Sequence, residues 1–202
     1  MEEDLQLLQK WREGDKTAGN ELFQRHFSAL YTFFRNKTQL GIDDLVQRTF
    51  LACVEGRDRF REDSSFRTYM FAAARRILYR EFEHRRRDGV DFGVSSVHDL
   101  DPTPSGIVVQ KQEQRLLLAA LRMIPLDHQV ALELCYVQGL RGPQLARILE
   151  VPEGTVRSRL SRGIENLRKK VSELADSPTL LKSTISGLES WGVSLRGSLA
   201  PT

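Results

Sequence analysis

Residues 152–170 read PEGTVRSRLSRGIENLRKK and gather six arginine and lysine side chains in one short stretch. The chain of 202 residues carries a formal net charge of only +3, so this concentration of positive charge is unusual within it. Arginine can hold DNA phosphates, and it can also pair with guanine through two hydrogen bonds. The stretch therefore indicates a nucleic-acid contact, and a solvated basic helix surface is the alternative.

The periodicity of the same stretch predicts a helix over residues 154–172 with two different faces. Its polar face carries hydroxyl and guanidinium groups, and its apolar stripe consists of Val156, Leu160, Ile164, Leu167 and Val171. Ahead of it, GPQLARILEV predicts a short helix over 143–149 that ends in a tight turn. A short helix, a turn and a longer basic helix are typical of helix-turn-helix domains, whose second helix lies in the major groove of DNA.

A second basic helix is predicted over residues 65–87, where seven arginines outnumber two glutamates. One arc of its wheel is apolar and contains Phe66, Met70, Ala73 and Ile77. A second arc mixes aromatic and arginine side chains and contains Phe71, Arg75, Leu78, Tyr79 and Phe82. Bases of a single strand stack on aromatic rings while guanidinium groups follow the phosphates, so this arc suits single-stranded nucleic acid. The alternative is that the second arc packs on its own domain.

A third amphipathic helix is predicted over residues 42–55, within GIDDLVQRTFLACVEG. Asp43 and Asp44 fall in its first turn, where the helix dipole favours carboxylates, so stabilisation of the helix end is the simplest explanation for them. The residues on or near its apolar face are Leu45, Val46, Thr49, Phe50 and Cys53.

The organisation of the chain follows from helical periodicity and one break in it. Helices are also predicted over 2–12, 16–36, 110–123 and 127–138, and no stretch predicts a strand. Residues 88–106 combine glycine, serine, proline and aspartate without lysine or arginine, which is typical of a linker. We expect an all-α protein with two small helical domains joined by a flexible acidic linker, the second a helix-turn-helix domain. The expected boundaries are a domain over 1–87, a linker over 88–109, a domain over 110–172 and an extension over 173–202.

Local signals predict helix ends and a helix in the extension. Ser64 or Ser65 can cap the helix that opens at Phe66, and Asp127 can cap the helix that follows it. The extension repeats apolar residues at steps of three and four, and Ser177–Pro178 could begin a helix there. Its three glycines each lower helix stability by about 1 kcal/mol relative to alanine, so we expect a marginal helix, ordered when docked. A frayed end is the alternative.

The composition gives no sign of a catalytic, metal or cofactor site. The four histidines are scattered, and Cys53 and Cys135 lack the spacing of metal ligands or of a disulfide framework. We therefore expect no enzyme activity, no metal and no cofactor.

The acidic start MEEDLQLLQKWREGDK lacks the basic and apolar regions of a signal peptide, and no apolar run is long enough to cross a membrane. We expect a cytoplasmic protein without membrane insertion.

Several segments, in this order, resemble the sigma-70 family of RNA polymerase sigma factors and, within it, the small extracytoplasmic-function (ECF) group. They are DDLVQRTF, FREDSSFRTYMFAAARRI with the HRRR after it, LRMIPLDHQVALELCYVQGL and EVPEGTVRSRLSRG. The resemblance covers most of the chain and implies a bacterial transcription initiation factor. Such a factor binds core RNA polymerase, directs it to promoters through their −10 and −35 elements, and assists strand opening.

The resemblance assigns roles to residues of the first domain. The DLVQ helix would grip the clamp helices in the largest subunits of core RNA polymerase, through Asp44, Leu45, Gln47 and Phe50. The loop 57–65 and the helix after it would open the −10 element and hold its non-template strand, with Arg75, Arg76 and Tyr79 facing DNA.

In the second domain the resemblance implies that the basic helix reads the −35 element. The side chains that would face base edges are Arg157, Ser158, Ser161 and Arg162. The side chains that would hold phosphates are Thr155 and Arg159. The acidic linker would thread the RNA path of the polymerase. Core RNA polymerase, promoter DNA and a separate anti-sigma factor are the implied partners.

Four departures from the family pattern bear on these roles. Tyr69 stands where the family often has tryptophan, and Arg76 stands where asparagine is usual. Arg48 stands where the family usually has glutamate, and Glu150 stands in the turn where glycine is common. If that turn needs a positive φ, glutamate costs about 1 kcal/mol, which the fold can tolerate.

Two other functions compete with this interpretation. A stand-alone helix-turn-helix regulator would bind duplex DNA without core polymerase, but it leaves the first domain and the linker unexplained. A nucleic-acid-processing enzyme would need clustered carboxylates for a metal. Binding to core RNA polymerase separates the three functions.

Overall fold

The computed structural model describes residues 2–38, 41–57, 64–87 and 112–186. Within these residues the regular structure is helical throughout, which confirms the expected all-α class. The linker 88–109, most of the loop 57–65 and the extension from residue 187 onward lie outside the described residues.

The described helices lie close to their predicted bounds. They are α1 Glu2–Arg12, α2 Lys16–Arg35, α3 Ile42–Glu55, α4 Phe66–Arg87, α5 Gln112–Arg122, α6 Leu126–Leu132, α7 Gly142–Leu149, α8 Glu153–Leu174 and α9 Pro178–Ser186. The helix predicted over 127–138 continues beyond α6 as a π-helical turn, Glu133–Val137. The chain divides into two compact units; the first contains α1–α4 and the second contains most of the later helices.

The first unit begins with two antiparallel helices. Asp4 of α1 meets His26 of α2, and at the other end Trp11 packs against Gly19. A Cβ added at Gly19 would lie 2.6 Å from the indole ring, so only glycine leaves room for it. Asp15 caps α2, because its carboxylate accepts hydrogen bonds from two backbone amides of the first turn.

α4 is buried over a broader face than its periodicity predicts. Phe71 and Leu78, from the arc expected to mix aromatic and arginine side chains, are completely buried, while Ala73 and Ile77 are only partly buried. The reason is that α4 packs against both α2 and α3, and two neighbours cover a wider arc than one. Ser65 caps the helix as expected, because its hydroxyl accepts a hydrogen bond from the Thr68 amide at 3.2 Å.

A buried histidine makes the stability of the first unit depend on pH. His26 is 7% exposed, and its Nε2 lies 2.8 Å from a carboxylate oxygen of Asp4. Burial lowers the pKa of His26, and the attraction of Asp4 opposes this shift without cancelling it. Because the unfolded chain then binds a proton more readily than the folded chain, stability is lost as pH falls below the ordinary histidine pKa of about 6.5.

We expect the urea midpoint of the first unit to fall as pH is lowered through about 6.5 and below. Trp11 is buried in this unit and reports its unfolding by fluorescence in a Trp191→Phe background. The matched variant His26→Gln keeps a donor for Asp4 without a titrating ring, so its midpoint should depend less on pH. Equal pH dependence in both proteins would contradict this role of His26.

In the second unit, the second half of α5 is buried around its whole circumference, whereas Gln112 and Arg115 in its first half are exposed. The six consecutive residues 116–121 are all buried, because α8 covers one side of the helix and α9 covers another. α9 starts at Pro178, and its side chains Leu180, Leu181 and Ile185 pack on the core of this unit. The docked helix expected in the extension is therefore present over its described part.

Two local expectations about the later helices have different outcomes. The expected cap by Asp127 is wrong: Pro125 is the N-cap of α6, and Asp127 lies in the first turn. Glu150 has a φ of 56°, so the turn between α7 and α8 does need a positive φ. A residue with a Cβ tolerates this conformation at a cost of about 1 kcal/mol relative to glycine.

Candidate nucleic-acid interface

α7, the turn at residues 150–152 and α8 form the helix-turn-helix expected from the sequence. The apolar residues Leu145, Ile148 and Leu149 of α7 are buried, as their spacing predicts. In α8, Val156, Leu167 and Val171 are buried, whereas Leu160 and Ile164 are partly buried. One side of α8 is thus packed against neighbouring helices, and the opposite side is exposed to solvent.

Gly163, which positions α8, was not predicted from the sequence as a packing residue. Gly163 is buried where α8 crosses α6, and a Cβ added there would lie 3.2 Å from Leu132. The absence of a side chain lets the two helices approach closely. The signal was available in the sequence, because a glycine inside a strongly helical stretch usually has a packing reason.

The outward side of α8 carries most of the side chains predicted to meet the −35 element. They are all exposed and comprise Thr155, Arg157, Ser158, Ser161 and Arg162. The Ser158 hydroxyl donates to the Thr155 carbonyl at 3.0 Å, which leaves its oxygen lone pairs able to accept from an amino group on a base edge. Two arginines and three hydroxyls on one rigid helix can combine phosphate binding with base contacts.

Arg159 does not share this environment. Its side chain is only 18% exposed, and its Nη2 lies 3.4 Å from a carboxylate oxygen of Asp127 in α6. The structure therefore places Arg159 on the flank of α8 that packs on α6, not with the outward-facing arginines.

The residues predicted to hold the −10 strand lie near the middle of α4. Arg76 is exposed, whereas Arg75 and Tyr79 are partly buried. The Arg75 guanidinium carbon lies 4.9 Å from the centre of the Tyr79 ring, a cation–π pair one helical turn apart. Phe71 and Leu78 of the same predicted arc are unavailable to a ligand because they are buried in the core.

The residues predicted to contact polymerase are divided between two sides of α3. Asp44 and Gln47 are exposed, but Leu45 is completely buried and Phe50 stacks on Phe23 at 4.5 Å. Leu45 is therefore a core residue in this structure and its side chain cannot be a contact.

The exposed side of α3, which we call its outer face, carries other side chains that a partner can contact. These exposed residues are Asp43, Asp44, Gln47, Arg48, Leu51, Val54 and Glu55. Leu51 is 55% exposed and Val54 is 37% exposed, which makes this face both acidic and apolar. Neither residue was predicted from the sequence, because only one apolar face was predicted for this helix and neither residue was placed on it.

Arg48, the departure from the family pattern, joins α3 to α4. Its guanidinium lies 2.8 Å from Asp44 and 2.8 Å from Glu81, and Glu81 also accepts from Arg85 at 2.7 Å. The hydrogen bond from Arg48 and that from Arg85 hold the pKa of Glu81 below its ordinary value. Because Arg48 pairs with a carboxylate of α3 and with one of α4, it holds the two helices together at the edge of the outer face.

The described residues contain no cluster of three or more histidine, cysteine or acidic side chains that could hold a metal ion. Burial raises the pKa of Cys53 to about 12, so its thiol stays protonated at neutral pH. Among the described helices, none is long and apolar enough to cross a bilayer.

Two family descriptions match the chain, one in each half of it. Residues 22–88 match "Sigma-70 region 2", and residues 114–167 match "Sigma-70, region 4". Together the two matches cover more than half of the chain. The first contains α3 and α4, and the second contains α7 and most of α8.

Curated relatives match over nearly their whole length. The ECF RNA polymerase sigma-E factor of Haemophilus influenzae is 28% identical over 185 residues, which cover 85% of this chain and 96% of the relative. The protein of the same description from Escherichia coli K12 is 25% identical over 182 residues, covering 85% and 95%.

Solved structures share the fold. CnrH, in complex with the cytosolic domain of CnrY, matches with a TM-score of 0.65 at 21% identity, covering 87% of this chain and 99% of that one. The sigma factor RpoE of Bartonella quintana, in complex with the anti-sigma factor NepR, matches with a TM-score of 0.59 at 22% identity, covering 81% and 99%.

Proposed function

The chain belongs to the sigma-70 family of RNA polymerase sigma factors, in its ECF group, and on this premise we propose that it is a bacterial transcription initiation factor. It binds core RNA polymerase and directs it to promoters. The outer face of α3 contacts the polymerase, α4 holds the opened −10 strand, and α8 reads the −35 element. Polymerisation is catalysed by the partner, so this chain itself is not an enzyme and needs no cofactor. It acts in the cytoplasm, where transcription takes place.

The outward side of α8 is the observation that carries this proposal. Arg157 and Arg162 are exposed on a helix whose opposite side is buried, and serine hydroxyls lie between them. A solvated surface helix needs no such excess of positive charge. Only Glu153 and Glu165 oppose the positive charge of the helix before its last turn.

An anti-sigma factor is a further proposed partner. One structural neighbour was solved with the anti-sigma factor NepR and the other with the cytosolic domain of CnrY. By analogy, a separate inhibitory protein would bind this chain and keep it from the polymerase.

The test is reconstitution with core RNA polymerase from a bacterium that encodes the chain. The purified mixture should elute as one complex, and it should start transcription on fragmented genomic DNA at sites that share a −35 and a −10 element. Core polymerase alone is the control. A chain that binds duplex DNA but never elutes with core polymerase would instead be a stand-alone helix-turn-helix regulator.

A further inference from the structure

The start of α6 lies against one flank of α8 and is fixed there by polar contacts. Asn166 Nδ2 of α8 donates to His128 Nδ1 at 3.0 Å, and Arg159 lies 3.4 Å from Asp127. Gly163, between these two residues of α8, allows the helices to approach closely at Leu132. The Asp127–Arg159 pair is therefore part of a tight helix crossing.

This pair changes the charge that α8 offers to DNA. The Arg159 side chain is 18% exposed while Asp127 is 47% exposed, so the arginine is the more enclosed partner. A guanidinium that already faces a carboxylate adds no net charge to attract phosphate groups. Burial lowers the pKa of the adjacent His128, Arg159 and Arg162 lower it further, and Asp127 opposes them without reversing the shift, so this flank gains no charge from histidine at neutral pH.

We propose that Asp127 is a positioning residue for DNA binding, which holds Arg159 against α6 and cancels its charge. α8 then meets the duplex with Arg157 and Arg162 but without Arg159. This inference rests on the proposed DNA-reading role of α8. It differs from the role that the family resemblance implies for Arg159, which is direct contact with a phosphate.

Salt dependence distinguishes these two roles. Each phosphate contact contributes about 0.9 to the slope of log affinity against log salt concentration. Asp127→Asn releases Arg159 toward the phosphates, so the variant should bind more tightly and its slope should steepen by about 0.9. The double variant Asp127→Asn/Arg159→Ala lacks both members of a cancelled pair, so its slope should return to that of the parent chain.

Glu173→Gln is the matched control for the change in net charge. Glu173 is also paired within this unit, at 2.5 Å from Lys170. It lies fourteen positions after Arg159 on α8, which is about 21 Å along the helix axis. That separation is about two Debye lengths at 0.1 M salt, so this variant should keep the parental slope.

The experiment measures binding of the full-length chain to a short fluorescein-labelled duplex of mixed sequence at several salt concentrations. Circular dichroism checks that each variant keeps its helix content. Arg162→Ala is included because, on a duplex that lacks the −35 element, this exposed arginine contributes only its charge toward phosphate groups, so its loss should make the slope shallower by about 0.9. The proposal requires a steeper slope for Asp127→Asn and a parental slope for the double variant.

Two other results would overturn the proposal in different ways. If Asp127→Asn keeps the parental slope and the double variant is shallower than the parent, Arg159 itself holds a phosphate. If Arg162→Ala changes the slope but none of the variants at the pair does, the pair is only structural and the DNA-reading role of α8 stands. If Arg162→Ala also has no effect, both this proposal and the proposed role of α8 fail.

Discussion

Core RNA polymerase should bind the Leu51→Asp variant about tenfold to thirtyfold more weakly than the parent chain, a loss of roughly 1.5–2 kcal/mol. Leu51 is 55% exposed at the centre of the outer face of α3, so its side chain can be buried by a partner. Aspartate removes that apolar contact and brings a carboxylate that would have to leave water. The affinity is measured by titrating labelled chain with core polymerase.

The fold should survive this substitution, because Leu51 makes little contribution to the core. Surface changes of this kind usually shift stability by less than about 0.5 kcal/mol, which thermal unfolding followed by circular dichroism can verify. Val54→Asp, one turn further along the same face, should weaken binding in the same direction. Leu45 offers no comparable test, because it is completely buried and its replacement would destabilise the unit itself.

Leu5→Asp is the matched control for these variants. Leu5 is 40% exposed on α1, and it precedes the region that matches the sigma-70 family. It should keep the affinity of the parent chain. If Leu51→Asp and Leu5→Asp both bind as the parent does, the outer face of α3 is not the polymerase contact.

The helices, α8 among them, could be predicted from the sequence, because the spacing of apolar residues shows which side of a helix is buried. Burial at the flanks of a helix is harder to predict from the sequence, because a neighbouring helix determines which side chains are buried there. Arg159 and Asp127 are far apart in the sequence, and only the crossing of α6 and α8 brings them to 3.4 Å. Gly163 is buried for the same reason.

α3 illustrates a second limit of prediction from sequence. Its pattern correctly placed Leu45 on the apolar side, yet the family resemblance made the same residue a partner contact. Because Leu45 and Leu51 are both leucine, residue type does not distinguish the buried side chain from the exposed one. Leu45 and Leu51 differ only in which of them faces α4 and the rest of the core, and that depends on the packing of the whole unit.

On duplexes that carry the correct −35 element, Arg157→Ala and Arg162→Ala should each lose roughly 1–3 kcal/mol of binding free energy. Both side chains are exposed on the outward side of α8, near the end of the helix that enters the major groove in helix-turn-helix domains. An arginine that pairs with guanine through two hydrogen bonds loses both when it is truncated, whereas a phosphate contact is independent of sequence.

The measurement compares matched and scrambled −35 duplexes for the full-length chain bound to core polymerase. Arg168→Ala is the control, because Arg168 is exposed on the same helix but lies about 9 Å beyond Arg162 along its axis. Its loss, if any, should be equal on the two duplexes. Arg157 and Arg162 read bases only if their variants lose more on the matched duplex than on the scrambled one. Equal losses would make both residues electrostatic contacts, and base recognition by α8 would then have to come from Ser158 and Ser161.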